Sequence, residues 1–335
     1  MNNSLLVSKD ELITKPKELK PHVVILGAGA SIAATLPDGD KYGKRLPDMA
    51  NFIDVLDLRK LLIQENIDLS EPNFEKIFSD LYLVDPNSEL IRKIEDTVYD
   101  YFSSLELPNV PTIYDHLVLS LRPKDAIFTF NWDPFLFDTL IRHDQYFDLP
   151  KIFYLHGNVR IGYCDKDFVW GRNGDICPQC GNEYISPKLL YPITQKDYTT
   201  DKYIREQWDL LEYFLANAFT FTIFGYGAPS TDIKAIEVMK NAWKKESNRE
   251  IENIQIIDIK PREQLHNTWR DFIFSHHYSV HAEFYTSIIA RYPRRTCEAL
   301  YWPKLYGKPV EAYSLPRNAG YSDLYDWYSE ITKFE

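Results

Sequence analysis

The stretch that decides the fold reads His22-Val23-Val24-Ile25-Leu26-Gly27-Ala28-Gly29-Ala30-Ser31. Its first half is a short aliphatic run rich in β-branched residues, which is typical of a buried parallel strand. In its second half Gly27 permits a tight turn, and Gly29 permits close approach of the backbone to a phosphate. The small residues that follow allow a helix to begin with its free N–H groups facing an anion. The stretch predicts a nucleotide-binding loop, although Ile32 replaces the third glycine of the full fingerprint; an ordinary strand-to-helix turn is the alternative.

Four further apolar runs end in the same way, at a glycine or a polar residue. They are residues 126–130 before Asn131, 152–155 before His156, 219–224 before Gly225 and 254–257 before Asp258. Ligands of a doubly wound sheet bind at the carboxyl ends of its parallel strands, so polar residues collect there. The five endings together predict an open doubly wound parallel, Rossmann-like α/β sheet with a ligand site at one edge.

The strand runs divide the chain into predicted regions. Apolar residues recur at helical spacing in the acidic segment 49–120, which predicts a helical insertion there. The full set of predicted regions is a polar leader at 1–20, a Rossmann-like core at 21–48, 121–160 and 215–262, the helical insertion at 49–120, a small cysteine module at 161–200 and an aromatic-rich C-terminal extension at 263–335.

The composition excludes several classes of protein. With 335 residues, 44% of them hydrophobic, the chain can bury a large core. A net charge of −11 argues against a general nucleic-acid binder, and residues 291–295 form the only candidate basic patch. No run approaches the roughly 18 apolar residues of a membrane span, and four cysteines do not make a disulfide scaffold. We expect a cytoplasmic protein that binds neither membranes nor nucleic acids directly.

Two of the strand-end residues carry chemistry suited to a sugar substrate. Asn131 can hold a water or a sugar hydroxyl through its amide donor and its acceptor. His156 can accept a proton near neutral pH. Together they suit attack at a sugar carbon that becomes cationic as its leaving group departs. The alternatives are that Asn131 caps a helix beginning near Pro134 and that His156 is a hydrogen-bonded core histidine.

Three short segments resemble consecutive motifs of the sirtuin family, in the sirtuin order. Residues 27–31 resemble the Gly-Ala-Gly-x-Ser loop, 129–133 the Thr-Gln-Asn-x-Asp turn and 155–157 the catalytic His-Gly. Residues 223–227 and 256–258 lie where sirtuins carry a later Gly-Thr-Ser loop and the strand end on the adenosine side. The resemblance spans about residues 20–260 and does not account for the helical insertion or the C-terminal extension.

The resemblance implies that NAD is the substrate. It places Asn131 and Asp133 along the nicotinamide ribose and makes His156 the general base. It places the pyrophosphate in the glycine loop and a hydroxyl of the adenosine ribose at Asp258, which would favour NAD over NADP. The full set of implied cofactor-binding residues is Gly27, Ala28, Gly29, Ala30, Ser31, Asp38, Asp133, Gly225, Tyr226 and Asp258.

The departures from the family pattern weaken protein deacylation more than they weaken NAD cleavage. Sirtuin deacylases follow the first loop with Gly-Ile-Pro-Asp-Phe-Arg, of which Pro37 and Asp38 match while Gly39 and Asp40 replace the Phe and the Arg. The Phe-Gly-Glu segment that clamps an acyl-lysine peptide has no clear counterpart in residues 189–193. The chain looks more like divergent bacterial sirtuin-like effectors that hydrolyse NAD, several of which act in anti-phage defence.

Three functions therefore compete. The first is an NAD glycohydrolase that releases nicotinamide and ADP-ribose and works as a regulated effector. The second is an NAD-dependent protein deacylase or ADP-ribosyltransferase, and the third is a non-catalytic nucleotide sensor or assembly subunit. Because effectors of the resembled family are often switched on by assembly, we expect a homo-oligomer or a companion activator protein.

The cysteines predict a small metal site. Cys177 and Cys180 have the spacing of a zinc knuckle, and Cys164 supplies a third thiolate at hairpin distance. A structural zinc needs a fourth ligand, which Asp165, Asp167 or a distant residue would have to supply. The alternative is a knuckle held by its own hairpin without metal.

Overall fold

The computed structural model describes residues 5–17, 19–35, 46–70, 73–193, 196, 198–199, 201–244, 252–273 and 277–335. Its strands are β1 (His22–Leu26), β2 (Ala126–Thr129), β3 (Lys151–Tyr154), β4 (Ile161–Tyr163), β5 (Trp170–Arg172), β6 (Thr220–Phe224), β7 (Asn253–Ile257) and β8 (Tyr278–His281). Six of them form one parallel sheet in the order β3-β2-β1-β6-β7-β8, while β4 and β5 pair as an antiparallel hairpin.

The sheet has the strand order of dinucleotide-binding folds. Without the hairpin, its strands follow the sequence order 3-2-1-4-5-6. The chain moves outward from β1 to β3 and then returns past β1 to β6, so the switch point lies between β1 and β6. Every residue of these two strands is buried, because parallel strands are covered on both faces. The predicted doubly wound parallel fold is confirmed.

One strand of the sheet is missing from the sequence-based prediction. The five predicted strands are found to within one residue at their ends, and β8 adds a sixth at the edge beside β7. β8 has only four residues, all of them half-buried, and two of them are Ser279 and His281. A short strand with alternate polar residues has no continuous apolar run, so its pattern does not separate it from a loop.

Helices cover both faces of the sheet. They are α1 (Lys9–Thr14), α2 (Ala28–Thr35), α3 (Phe52–Val55), α4 (Arg59–Gln64), α5 (Phe74–Val84), α6 (Glu89–Ser103), α7 (Ile113–Leu119), α8 (Phe135–His143), α9 (Lys202–Asn217), α10 (Ile233–Lys244), α11 (Arg262–Trp269), α12 (Ile288–Arg291), α13 (Glu298–Tyr306) and α14 (Tyr321–Thr332). Helix α7 contacts α2 and α8, and α9 contacts α10. A right-handed connection places its helix on one face of the sheet when the chain moves one way along the sheet, and on the other face when that direction reverses. Helices α2, α7 and α8 therefore lie on one face, and α9 and α10 lie on the other. None of the described helices is long and apolar enough to cross a membrane.

The segment predicted as a helical insertion holds helices α3 to α7. Helix α6 begins after Ser88, whose side chain accepts a hydrogen bond from the N–H of Ile91. Its buried residues recur every three or four positions and join the main hydrophobic core; they are Ile91, Ile94, Val98 and Phe102. The helical periodicity seen in the sequence therefore marks the face that packs against the core.

Both ends of the described chain pack together instead of extending from the fold. The segment predicted as a polar leader contains α1, where Leu12 and Ile13 are buried in a second apolar cluster with Tyr328 and Ile331 of α14. Polar residues outnumber apolar ones in this segment, so its composition suggests an exposed leader. The face of α1 that is buried is nevertheless apolar. Residues 5–17 are thus part of the packed structure.

The candidate basic patch is in the interior. Arg294 is 3% exposed and Arg295 is fully buried. Arg295 donates hydrogen bonds to the carbonyls of Leu12 and Ile13, and both arginines pair with Glu335. The charges of this run therefore hold the chain ends to the core, and only Arg291 of its three arginines is exposed.

Candidate active site

A cavity of about 420 Å³ opens at the carboxyl edge of the sheet, beside the switch point. Gly27, Asn131, His156 and Gly225, which follow four different strands, all line it. The convergence expected of strand ends is found for these four positions. Other lining residues come from the helical segment and from the loops around the sheet edge; they include Phe52, Glu75, Phe102, Trp132, Lys196, Asp232 and Lys260.

The loops after β1 and β6 pack backbone against backbone. A Cβ atom on Gly27 would lie 2.5 Å from the Cα of Tyr226, and one on Gly225 would lie 2.3 Å from the amide nitrogen of Ala30. Gly225 also has a φ of +61°, which favours glycine. The N–H of Gly29 donates to the carbonyl of Gly225 at 3.0 Å. The structure thus explains these glycines by loop packing, whereas the sequence suggested that Gly29 lets the backbone approach a phosphate.

Asn131 is held at the cavity wall by a buried hydrogen-bond network. Its side-chain Nδ2 donates to the carbonyl of Gly27 at 2.9 Å and to Ser31 Oγ at 2.8 Å. Tyr114 lies 3.3 Å from the same nitrogen through its hydroxyl, which also contacts Ser31 at 2.6 Å. The side-chain oxygen of Asn131 accepts no hydrogen bond from the described residues. The amide is therefore oriented by its donor side and has an acceptor left for a ligand.

Asp133, and not Asn131, bonds the start of helix α8. Its Oδ1 accepts the N–H of Phe135 at 3.2 Å, while Pro134 occupies the cap position without a side-chain hydrogen bond. The interpretation of Asn131 as a helix cap is therefore wrong. The other carboxylate oxygen of Asp133 accepts the hydroxyl proton of Ser31 at 2.7 Å. Burial raises the pKa of Asp133 to about 6, and the hydrogen bonds from Ser31 and Phe135 oppose that shift.

His156 lies in the cavity wall with one ring nitrogen unpaired. The residue is 5% exposed, and within the described part of the chain its Nε2 has no hydrogen-bond partner. Its ring packs edge-on against Phe130, with centroids 4.8 Å apart, and parallel to Tyr198 at 6.2 Å. Burial lowers the pKa of His156 to about 3; Asp232 opposes this shift and Lys196 adds to it. The interpretation as a fully hydrogen-bonded core histidine does not hold, and the imidazole is neutral at pH 7.

A buried ion pair lies in the same cavity. Lys196 and Asp232 are each 4% exposed at their side chains, and the Lys196 ammonium bonds the Asp232 carboxylate. The second oxygen of that carboxylate accepts the hydroxyl of Tyr226 at 2.8 Å. Thr231, beside it, donates to Glu75 from helix α5. These charges connect the helical segment, the loop after β6 and the segment before α9 around one site.

Aromatic rings form the apolar part of the wall. Phe130 stacks on Tyr226 with centroids 4.2 Å apart and rings 4° from parallel. Trp132 meets Phe102 of helix α6 edge-on at 5.6 Å. Flat apolar walls of this kind suit a ring-shaped ligand group, with the polar side chains fixing its orientation.

Not every predicted binding residue lines the cavity. Ala28, Ser31, Asp133 and Tyr226 do, whereas Gly29, Ala30 and Asp258 do not. Asp258 lies at the end of β7 and accepts the backbone N–H of Lys260 at 2.9 Å, while Lys260 itself lines the cavity. Asp38 lies outside the described residues.

The predicted cysteine site assembles in the β4–β5 region with an aspartate as a fourth member. Ligand atoms of Cys164, Asp167, Cys177 and Cys180 all lie within 4.8 Å of one another. Cys164 Sγ is 3.4 Å from Cys180 Sγ, and Cys177 Sγ is 3.3 Å from a carboxylate oxygen of Asp167. Three thiolates and a carboxylate at such separations fit a tetrahedral metal ion. Cys297 is buried elsewhere, beside Lys124.

Several residues of the cavity wall and of the hydrogen-bond network behind it carry no recognisable signal in the sequence. Tyr114 lies 83 positions from Ser31, and Lys196 lies 36 positions from Asp232. Neither pair belongs to a motif of fixed spacing, because the sheet topology alone brings its members together. Asp232 had one available signal, since it lies seven residues after Gly225 and just before helix α10.

Comparisons with known proteins give structural similarity but no sequence relative. No protein-family model matches the sequence, and no curated protein matches it significantly. The structure is similar to a Sir2 homologue–NAD complex, with a TM-score of 0.39, 14% identity and coverage of 88% of this chain and 97% of that one. It is also similar to a structure solved to explain the mechanism and regulation of Sir2 enzymes, with a TM-score of 0.41 and 15% identity. That similarity covers 87% of this chain and 94% of the other. Such low scores and identities carry no activity over to this chain.

Proposed function

We propose that the protein is an NAD glycohydrolase that cleaves NAD to nicotinamide and ADP-ribose. The observation that carries the proposal is the unpaired Nε2 of buried His156 in the same cavity wall as the oriented amide of Asn131. A buried polar atom without a partner costs stability, so its retention favours a role with a ligand. The motif resemblance supplies the identity of that ligand as NAD.

In this mechanism the bond between ribose C1′ and the nicotinamide nitrogen breaks, and nicotinamide leaves with the electron pair. The side-chain oxygen of Asn131 positions the attacking water or the neighbouring ribose hydroxyl. The water oxygen forms a bond to C1′ and its proton passes to neutral His156, which later returns it to solvent. Trp132 and Phe102 flank the site and limit the access of bulk water. General-base assistance of this kind contributes roughly 10²–10⁴-fold in rate.

A second cavity supports the transferase alternative. It has a volume of about 600 Å³, lies between the cysteine hairpin and the helical segment, and shares Leu190 and Lys196 with the first cavity. An acceptor side chain entering there would compete with water for C1′. Incubation with NAD and a protein mixture distinguishes the two reactions, because transfer leaves ADP-ribose on protein and hydrolysis leaves it free.

The full chain is incubated with NAD, and nicotinamide and ADP-ribose are followed by chromatography. His156→Ala and Asn131→Ala should each reduce cleavage by about 10²-fold or more while the protein stays folded and still binds nucleotide. The matched controls are His266→Ala and Asn87→Ala, which remove an exposed histidine and an exposed asparagine. Full turnover in a folded His156→Ala protein would remove the proposed mechanism.

The motif resemblance leads us to propose further that this hydrolase is a regulated effector in bacterial anti-phage defence. A homo-oligomer or a companion activator protein would then control its rate. For a homo-oligomer, the rate per chain should rise with chain concentration in the same assay.

We also propose that Cys164, Asp167, Cys177 and Cys180 hold a structural zinc. The supporting observation is the clustering of their four ligand atoms beside the loop that connects β4 to β5. Purified chain should contain about one equivalent of zinc, and Cys177→Ser should lose the metal. Cys297→Ser is the matched control, since Cys297 lies outside the cluster. Less than about a tenth of an equivalent in the parent would reject the site.

A further inference from the structure

We propose that Asp232 is a positioning residue that stabilises the protonated form of His156, and that Lys196 controls how strongly it does so. The inference rests on the proposed hydrolase function and adds a device that sets the strength of its base. Its geometric basis is that all three side chains are buried and line the same cavity.

The charges around His156 make this arrangement specific. Among the described residues, Asp232 and Lys196 are the two charged groups that interact electrostatically with the imidazole, and they act in opposite directions. The remaining faces of the ring meet Phe130 and Tyr198, which carry no charge. The protonation of His156 therefore depends on how the negative charge of Asp232 is divided between the imidazole and Lys196.

The reaction needs such a device. Burial is the main cause that makes His156 a weak base, and its pKa of about 3, with Asp232 raising it and Lys196 lowering it, lies far below the pH at which a general base works best. When water attacks C1′, its proton moves to the imidazole of His156 and leaves an imidazolium in a desolvated site. A carboxylate in the same wall stabilises that cation, and Tyr226 fixes the carboxylate through a hydrogen bond of 2.8 Å.

Lys196 is placed to weaken this stabilisation. Its ammonium bonds the carboxylate directly, and it also contacts Thr231 at 3.5 Å. Because the second cavity shares Lys196, the ion pair also forms part of the wall between the two cavities. Removing the lysine leaves the Asp232 charge for His156, while removing the aspartate leaves only an opposing positive charge.

The test uses opposite substitutions within the pair. Lys196→Met should raise the midpoint of the His156 titration by about one pH unit, and Asp232→Asn should lower it. The midpoint is followed by NMR of the imidazole C–H resonances in the full chain, with His156→Gln to assign them. Asp232→Asn should lower kcat for NAD cleavage about tenfold with little change in KM, whereas Lys196→Met, which leaves the Asp232 charge for the imidazole, should raise kcat.

A second comparison is needed in case Asp232→Asn does not fold, because this substitution leaves a buried ammonium unpaired. Lys196→Met is then compared with the double variant Lys196→Met/Asp232→Asn, which contains no unpaired ammonium. The double variant should have the lower His156 midpoint and the lower kcat. Lys240→Met, which removes a lysine from the exposed pair with Asp271, is the control and should change neither value.

The two proposals fail separately. If the titration midpoints shift as stated but the parent does not cleave NAD, the hydrolase function fails and the electrostatic coupling stands. If the parent cleaves NAD but Lys196→Met and Asp232→Asn reduce kcat alike and leave the midpoint unchanged, the ion pair is structural and this inference is overturned.

Discussion

Two buried polar side chains, Arg295 at the chain ends and His156 at the sheet edge, differ in how completely they are hydrogen-bonded. At the chain ends, the guanidinium of Arg295 donates to the carbonyls of Leu12, Ile13 and Ile331 and pairs with Glu335. At the sheet edge, His156 is equally buried, and its Nε2 has no partner among the described residues. Complete pairing fits a structural role, whereas an unpaired ring nitrogen on a side chain that lines a cavity favours ligand binding.

The same contrast separates the aspartates of the two regions. Asp115, beneath the C-terminal helix, bonds Arg142, His143 and Thr112, and the hydrogen bond from His143 is the main effect that lowers its pKa against burial. Asp133, at the cavity, has no cationic partner among the residues that the structure describes, and burial raises its pKa. Cations therefore neutralise Asp115 in the packing region, whereas Asp133, at the strand end beside the cavity, is satisfied by hydroxyl and amide donors.

The largest expected effect on stability is in the fully paired region. Arg295→Met should lower the free energy of unfolding by about 3–5 kcal/mol, because it strands buried carbonyls and part of the Glu335 charge. NAD cleavage per folded molecule should be unchanged, since the cavity is not touched. Urea unfolding at fixed pH provides the measurement.

Arg291→Met is the matched control from the same run of sequence. Its side chain is exposed, so the expected change lies within about 0.5 kcal/mol. Equal losses in the two variants would show that the pairing around Arg295 contributes little and would remove the contrast drawn above.

An intermediate effect on stability is expected at the glycine loops after β1 and β6. Gly225→Ala should destabilise the protein by about 3 kcal/mol, because it combines a positive φ with a Cβ atom 2.3 Å from the nitrogen of Ala30. Separation of the loops should also weaken nucleotide binding. Thermal melting and a binding titration measure the two effects.

Gly307→Ala is the control that separates the backbone strain of a positive φ from the steric clash of an added Cβ atom. Gly307 has a φ of +62° at the end of helix α13, but a Cβ there would meet nothing within 4 Å. Its expected cost is about 1 kcal/mol, from the backbone alone. A similar cost at Gly225 would contradict the loop contact.

The sequence predicts the fold and part of the site for a common physical reason. A buried parallel strand is a continuous apolar run, and its polar ending is its immediate neighbour, so Asn131 and His156 are visible locally. Strand β8 lacks such a run, and Arg295 resembles a surface charge because its partners lie about 280 residues away, at Leu12 and Ile13. Lys196 and Asp232 likewise meet only through the topology of the sheet.

The third predicted effect is the contribution of a single buried histidine to the pH dependence of stability. Burial lowers the pKa of His22 and His156 to about 3 and that of His116 to about 4, whereas each titrates near 6.5 when unfolded. The unfolded chain therefore binds more protons below pH 6.5, and stability falls as the pH falls toward these folded-state values. Asp133 acts in the opposite direction by about 1 kcal/mol, since its pKa is raised to about 6 and acid stabilises its buried form.

His156→Gln isolates the share of the cavity histidine in this dependence. One histidine with such a shift costs about 2 kcal/mol of unfolding free energy between pH 7 and pH 5, so the variant should lose that much less than the parent over this interval. The measurement is urea unfolding at both pH values, with His266→Gln, an exposed histidine, as the control. An unchanged pH dependence in His156→Gln would mean that His156 accepts a proton easily in the folded protein. Its imidazole would then be solvated or paired, and the contrast between an unpaired cavity and a paired interior would no longer hold.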